Sequence, residues 1–116
     1  MASAFLKIPD VRGESSDPQH LGWIEALSFG HYRHGTNEVW ITKTADSTSA
    51  LLFQMAQDGR SFEGEIDAVD QGRIFLHFGL KGAVIAAAHF SAASGSDGAP
   101  VENLTLACQS IEVEVR

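Results

Sequence analysis

A single cysteine, Cys108, stands among 116 residues, so no disulfide forms within the chain and no cysteine-rich zinc site exists. Basic residues are scarce: eight Lys and Arg face fifteen Asp and Glu, a formal net charge of −7. Without a basic patch to release counterions, nucleic acid and anionic membrane surfaces are disfavoured as partners, and neither is expected. No apolar run approaches the roughly 20 residues that span a bilayer. The longest, Ala83–Ala88, is far shorter, and no membrane insertion is expected. Met1–Ile8 lacks a basic stretch followed by an apolar one, so the chain reads as made in the cytoplasm without a secretory signal. Export by routes that ignore signal peptides is compatible with that reading. What is present is an ordinary globular composition, 44% apolar and 20% charged, which suits one domain over residues 1–116.

Helical signals are confined to one stretch. Asp46 or Ser47 offers an N-cap, Leu51, Leu52, Met55 and Ala56 fall at spacings that make one apolar stripe, and Gly59 supplies a stop. A helix over about 47–58 is too short to be stable alone and must lie against something. The remainder reads as strand. Ala4–Ile8 alternates and ends at Pro9, Asp10–His20 is a polar loop, and Gly22–Tyr32 is one long run that is apolar on both faces. His34–Glu38 reads as a turn before a strand at Val39–Lys43, and Phe62–Val69 leads into a hairpin turn at Asp70–Gly72. Arg73–Leu80 and Ala83–Phe90 read as two strands parted by Lys81-Gly82, followed by a small-residue loop at Ala92–Pro100. Strands at Glu102–Cys108 and Ser110–Val115 close the chain. In the last, Ile111, Val113 and Val115 alternate with Glu112 and Glu114, which predicts one buried and one solvated face. The fold expected is mainly β: a small β-barrel of two antiparallel sheets with one flanking α-helix.

Catalytic patterns are weak. His31 and His34 form H-x-x-H on a strand entering a turn, where that spacing does not set both on one face, and no carboxylate or thiolate stands at ligand spacing. His77 and His89 sit singly in apolar strands and suit structural roles. Gly13-Glu-Ser15 lacks the G-x-S-x-G pattern of a nucleophile turn. Gly95–Gly98 precedes a strand and makes no phosphate cradle, and Cys108 lies in an apolar strand without a neighbouring cation. Glu63, Glu65, Asp67 and Asp70 read as a solvated strand face. No enzyme, metal or cofactor is expected. The least supported reading is a hydrolase using His20 with Glu14 or Asp17.

The segment Phe5–Phe29 resembles the start of the Hcp family, the haemolysin-coregulated tube proteins of bacterial type VI secretion systems. The likeness is carried by Lys7, Ile8, Gly13, Glu14, Ser15, Asp17, His20, Gly22, Leu27, Ser28 and Phe29. It continues through Ile41-Thr-Lys43, Asp46, Leu51, Leu52 and Gly59, the loop Ser94–Gly98, and the closing Val101–Leu106 and Ile111–Val115.

The resemblance implies a hexameric ring of identical subunits. Such rings stack into the inner tube of a contractile injector, meet its sheath and spike, carry effector proteins in the lumen, and are released from the cell. It also implies a longer excursion than His34–Glu38, one that helps successive rings meet, so rings that stack poorly are expected. Ser47-Thr48 stands where the family usually has Ser-Pro. On this reading the apolar faces of Trp23–Phe29 and Arg73–Phe90 divide between core and subunit interface. Trp23, Leu27, Phe29, Phe75, Phe78 and Phe90 are the interface candidates. The alternative is a small β-barrel binding module, monomeric or oligomeric, that builds no tube.

Overall fold

The computed structural model of the chain describes residues 4–91 and 100–116. Its elements are β1 (Ala4–Lys7), β2 (Ile24–Ala26), β3 (Ser28–His34), β4 (Thr36–Thr44), α1 (Ser49–Asp58), β5 (Phe62–Asp70), β6 (Arg73–Ser91), β7 (Val101–Cys108) and β8 (Ser110–Val115). Every pairing is antiparallel. The strands follow the order β2-β1-β5-β6-β7-β4-β3, and β8 lies on β6. The expected mainly-β fold with one helix is present. The loop expected at Ala92–Pro100 lies, but for Pro100, outside the described residues.

One bent strand, β6, and one strand-to-strand crossing hold the two sheets together. The first half of β6 pairs with β5 and β8, and its second half pairs with β7. On the other side β2 and β3 are parted by Leu27 alone, whose N–H donates to the Thr42 carbonyl at 2.7 Å. The hydrogen-bonded path is therefore open, with the chain itself spanning the gap at Leu27. That is why Gly22–Tyr32, expected as one strand, is two: the chain changes sheets there.

Lys81-Gly82 is likewise a bend and not the break that a turn-like dipeptide suggested. Gly82 is left-handed at φ +59°, and the Gln109 N–H donates to the carbonyls of Lys81 and Gly82. β6 thus runs unbroken for 19 residues, with its partner bending beside it between β7 and β8. The turn expected over His34–Glu38 is narrower. Gly35 alone, at φ +85°, joins paired His34 and Thr36. At Asp70–Gly72 the expected hairpin forms, with Gln71 and Gly72 both left-handed as a tight two-residue turn requires.

Helix α1 begins two residues later than expected, at Ser49, with Thr48 at the cap position, its hydroxyl turned to Asp46 at 2.6 Å and not to the helix's own N–H groups. Asp46 still serves the helix start, accepting the Thr48 N–H at 2.9 Å. Gly59 ends the helix at φ +65° and donates to the Met55 carbonyl, as anticipated. The stripe is corrected: Ser49, Leu52 and Met55 are buried, whereas Leu51 faces solvent together with Phe53. Leu52 and Met55 join Leu6, Ile24, Ile41, Ile66, Leu80, Ile85, Leu104 and Leu106 in a core drawn from both sheets.

Strand β8 departs furthest from its pattern. Its apolar positions were expected to be buried, yet Val113 is 50% and Val115 is 84% exposed. β8 is hydrogen-bonded to β6 alone and so forms an edge whose other side carries no strand among the described residues. Only Ile111, nearest the barrel, packs against the core.

Candidate functional surface

The most distinctive stretch of the sequence, Asp10–Trp23, is a loop pinned to the outside of the β1–β5–β6 sheet. It folds on itself through Gly13 N–H to the Gly22 carbonyl at 2.7 Å and Ser15 N–H to the Trp23 carbonyl at 3.0 Å. A Cβ on Gly13 would stand 2.3 Å from the Trp23 carbonyl oxygen, so only glycine fits there. Glu14 accepts the Ser47 N–H at 3.0 Å, tying the loop to the start of the helix. Ser15 accepts the Asp17 N–H through its hydroxyl at 3.2 Å.

His20 is the pin. Its ring is buried, stacked on Phe5 with centroids 4.2 Å apart and edge-on to Trp23 at 4.9 Å. Nδ1 meets Asp17 Oδ2 at 2.7 Å, and Nε2 meets Asp67 Oδ2 at 2.9 Å. The other Asp67 oxygen holds His77 Nδ1 at 2.5 Å, so the contact crosses from the loop over β5 to β6. Since both ring nitrogens already face carboxylate oxygens, neither is free to take a proton from a hydroxyl. The His20 hydrolase reading fails on that geometry. Asp67, expected on a solvated strand face, is buried instead.

An open cleft of about 520 Å³ borders this network, between Phe5, Gln19, Glu25 and the β5–β6 turn. Among the described residues no three His, Cys, Asp or Glu side chains are placed to hold a metal ion. His31 packs edge-on to Phe78 at 5.9 Å, while the His34 side chain lies outside the described residues. Cys108 is buried, and burial pushes its thiol up from the usual value. No helix among the described residues is long and apolar enough to cross a membrane.

A second polar network anchors the helix, and sequence reasoning missed it. Lys43 and Glu102 are both fully buried, Nζ lying 2.8 Å from Oε1. Lys43 also donates to the Thr44 carbonyl and to Asp46, each at 3.0 Å, and Ser49 Oγ donates to Glu102 at 2.9 Å. Burial alone would raise the Asp46 carboxyl. Bonds from the Thr48 hydroxyl, Lys43 and the Thr48 N–H, with the Lys43 charge, outweigh it and hold the group below its usual 3.8. A lowered folded-state value stabilises the fold above about pH 4, and that contribution disappears as pH falls through the folded value. The stability gap between the wild type and Asp46→Asn is thus expected to be constant at neutral pH and to close below about pH 4. Urea titrations of both proteins across pH 2–7 read this directly.

The interface candidates are not brought together. Phe29 is half-buried against Phe78, their rings 5.6 Å apart, and Phe78 is only 5% exposed, so it serves the core of the single subunit. Trp23 is half-buried beside His20, with Lys7 Nζ 5.8 Å from its ring centroid. Leu27, Phe75 and Phe90 are exposed at separate places, Phe90 beside Phe53 of α1 at 6.5 Å. Val113, Val115 and Leu51, expected on buried faces, and Phe53 are also exposed and apolar, and none of them was among the interface candidates.

Fold and surface define a small structural β-protein that leaves apolar side chains uncovered. A family model described as "Type VI secretion system effector, Hcp" matches residues 5–115. The fold is shared with Hcp1 from Salmonella typhimurium at a TM-score of 0.88 and 23% identity, covering 97% of this chain and 86% of that one. Hcp2 from the same organism gives 0.85 and 24%, covering 97% and 85%. A chain of the PVC sheath–tube complex, an extracellular contractile injection system, gives 0.66 and 11%, covering 100% and 90%. No curated protein sequence matches significantly. The chain belongs to the Hcp family, a family of structural proteins and not of enzymes.

Proposed function

We propose that six copies of this chain close into a ring and that such rings form the inner tube of a type VI apparatus. The tube is released from the cell and takes effectors through its lumen. The single observation that carries this reading is the family match over 5–115, nearly the whole chain. Support comes from exposed Leu27, Phe53, Phe75, Phe90, Val113 and Val115, since uncovered apolar side chains in such number suit a subunit that meets others. Joining β3 to β4 through Gly35 alone leaves no extended loop there to reach a neighbouring ring. Rings that stack weakly follow from that.

Light scattering after size exclusion tests the reading. The expected result is a sharp species at six times the 12.5 kDa protomer, with few long tubes in electron micrographs. A monomer at high concentration would overturn it and favour a small binding module, with the cleft beside His20 as its site.

A further inference from the structure

We infer that His20 is a proton-held latch. The loop Asp10–Trp23 stays pinned while the His20 ring carries two protons, and it comes free as the pH rises. The latch belongs to the single subunit and does not depend on the ring reading. Hydrogen counting carries it. A carboxylate accepts hydrogen bonds and donates none, and a neutral imidazole offers only one N–H. His20 sets Nδ1 2.7 Å from Asp17 Oδ2 and Nε2 2.9 Å from Asp67 Oδ2. Both nitrogens must therefore carry hydrogen, which makes the ring an imidazolium. The two carboxylates act as acceptors elsewhere as well. Asp17 Oδ2 also takes the Gln19 N–H at 3.2 Å, and Asp67 holds His77 Nδ1 with its other oxygen. The His20 side chain is only 2% exposed, so water is no ready substitute for either partner.

Carboxylates dominate the surroundings. Asp17 comes from the loop and Asp67 from β5, while Phe5 of β1 lies flat on the ring and Trp23 stands edge-on to it. Beyond Asp67 is His77 of β6, whose Nε2 lies 3.6 Å from Glu65 of β5. Glu25 of β2 pairs with Phe5, and Glu114 of β8 pairs with His77, in one row across the sheet. Lys7 Nζ lies 5.8 Å from the centroid of the Trp23 ring. His77 needs a single N–H for its bond to Asp67, so the demand for a second proton is particular to His20.

Removing one proton turns a nitrogen lone pair toward a carboxylate oxygen in a buried place, and attraction becomes repulsion. A histidine free in water gives up that proton above about pH 6.5. Above that pH the pinned state binds one proton more than the freed state. The pin therefore weakens as pH rises, and the opening constant grows by at most about ten-fold per pH unit. Opening undoes more than the ring contacts. The Gly13 and Ser15 N–H bonds to the Gly22 and Trp23 carbonyls go with it, and the tie from Glu14 to the Ser47 N–H at the helix start loosens.

Hydrogen exchange of the full chain tests the latch, with the Gly13 and Ser15 amides as reporters. Corrected for the intrinsic exchange rate, their protection in the wild type is expected to fall several-fold per unit from about pH 7 to about pH 9. In Asp17→Asn the side-chain amide can donate to a bare ring nitrogen, so a neutral His20 still fits. Protection in that variant is expected to stay nearly flat over the same range. Nitrogen NMR of the wild-type ring reads the protons without any substitution, and at about pH 7 both His20 nitrogens are expected to carry hydrogen. A His20 nitrogen without hydrogen at that pH would overturn the latch. So would protection that falls alike in the wild type and in Asp17→Asn. If Asp17→Asn does not fold, the wild-type ring nitrogens decide alone.

Discussion

Replacing Lys43 with alanine is expected to lower the unfolding free energy by about 3–5 kcal/mol, the usual cost of leaving one member of a buried ion pair alone. Lys43 and Glu102 have no exposed side-chain surface, and Glu102 Oε2 already has no partner among the described residues. Without the ammonium, the Glu102 carboxylate keeps only the Ser49 hydroxyl. The helix start suffers too, because Asp46 is held by the same Lys43. Urea denaturation measures the loss. The double variant Lys43→Met/Glu102→Leu removes both charges and is expected to recover most of it, since apolar replacement of a whole buried pair is often neutral or favourable. A Lys43→Ala cost below about 1 kcal/mol, within the range of an exposed pair, would show that the pair is not buried as described.

The second large effect is expected at His20. Removing its ring strips Asp67 and Asp17 of a partner and leaves the face of Phe5 bare. Lost charge-assisted bonds and the stacked contact together are worth about 2–4 kcal/mol. His77 still bonds Asp67, which limits the damage to that carboxylate. Combining His20→Ala with Asp67→Asn should cost less than the sum of the two, because they share one contact. The loss should also show locally. Arg12 lies in the pinned loop, so trypsin should cut there faster in His20→Ala than in the wild type. Equal cutting rates and an unchanged denaturation midpoint would remove the pin from this account.

Local signals were read well where they depend on a residue's own conformation. Gly59 and the Asp70–Gly72 turn were legible because left-handed backbone demands particular residues. The alternation of β7 and the single helix were legible because periodicity reports burial. What escaped depended on partners far along the chain. Lys43 occupies an inward position after Val39 and Ile41, where alternation marks it as buried, yet its partner lies 59 residues away. Leu27 looks like any strand residue, and the change of sheet there is fixed by Thr42. Val113 and Val115 follow a perfect two-residue alternation, but that β8 ends up as an edge strand paired with β6 alone is set by the topology. In the loop, Gly13, Ser15, Asp17 and His20 stood out as a family pattern before their use was visible. The structure assigns that pattern to holding the loop and not to chemistry.

The position of β7 bears on how the chain is made. β7 lies between β4 and β6, yet it comes after residue 100 of 116. While the chain leaves the ribosome, β4 shows a bare edge, and Lys43 waits without the carboxylate that neutralises it. β1, first to emerge, finds its β5 partner some sixty residues later. Such non-local pairing is slow and leaves sticky intermediates. The sheet lacks its middle stave until β7 arrives, so this domain's folding must wait until the residues past 100 have emerged, and only then does a subunit exist to assemble.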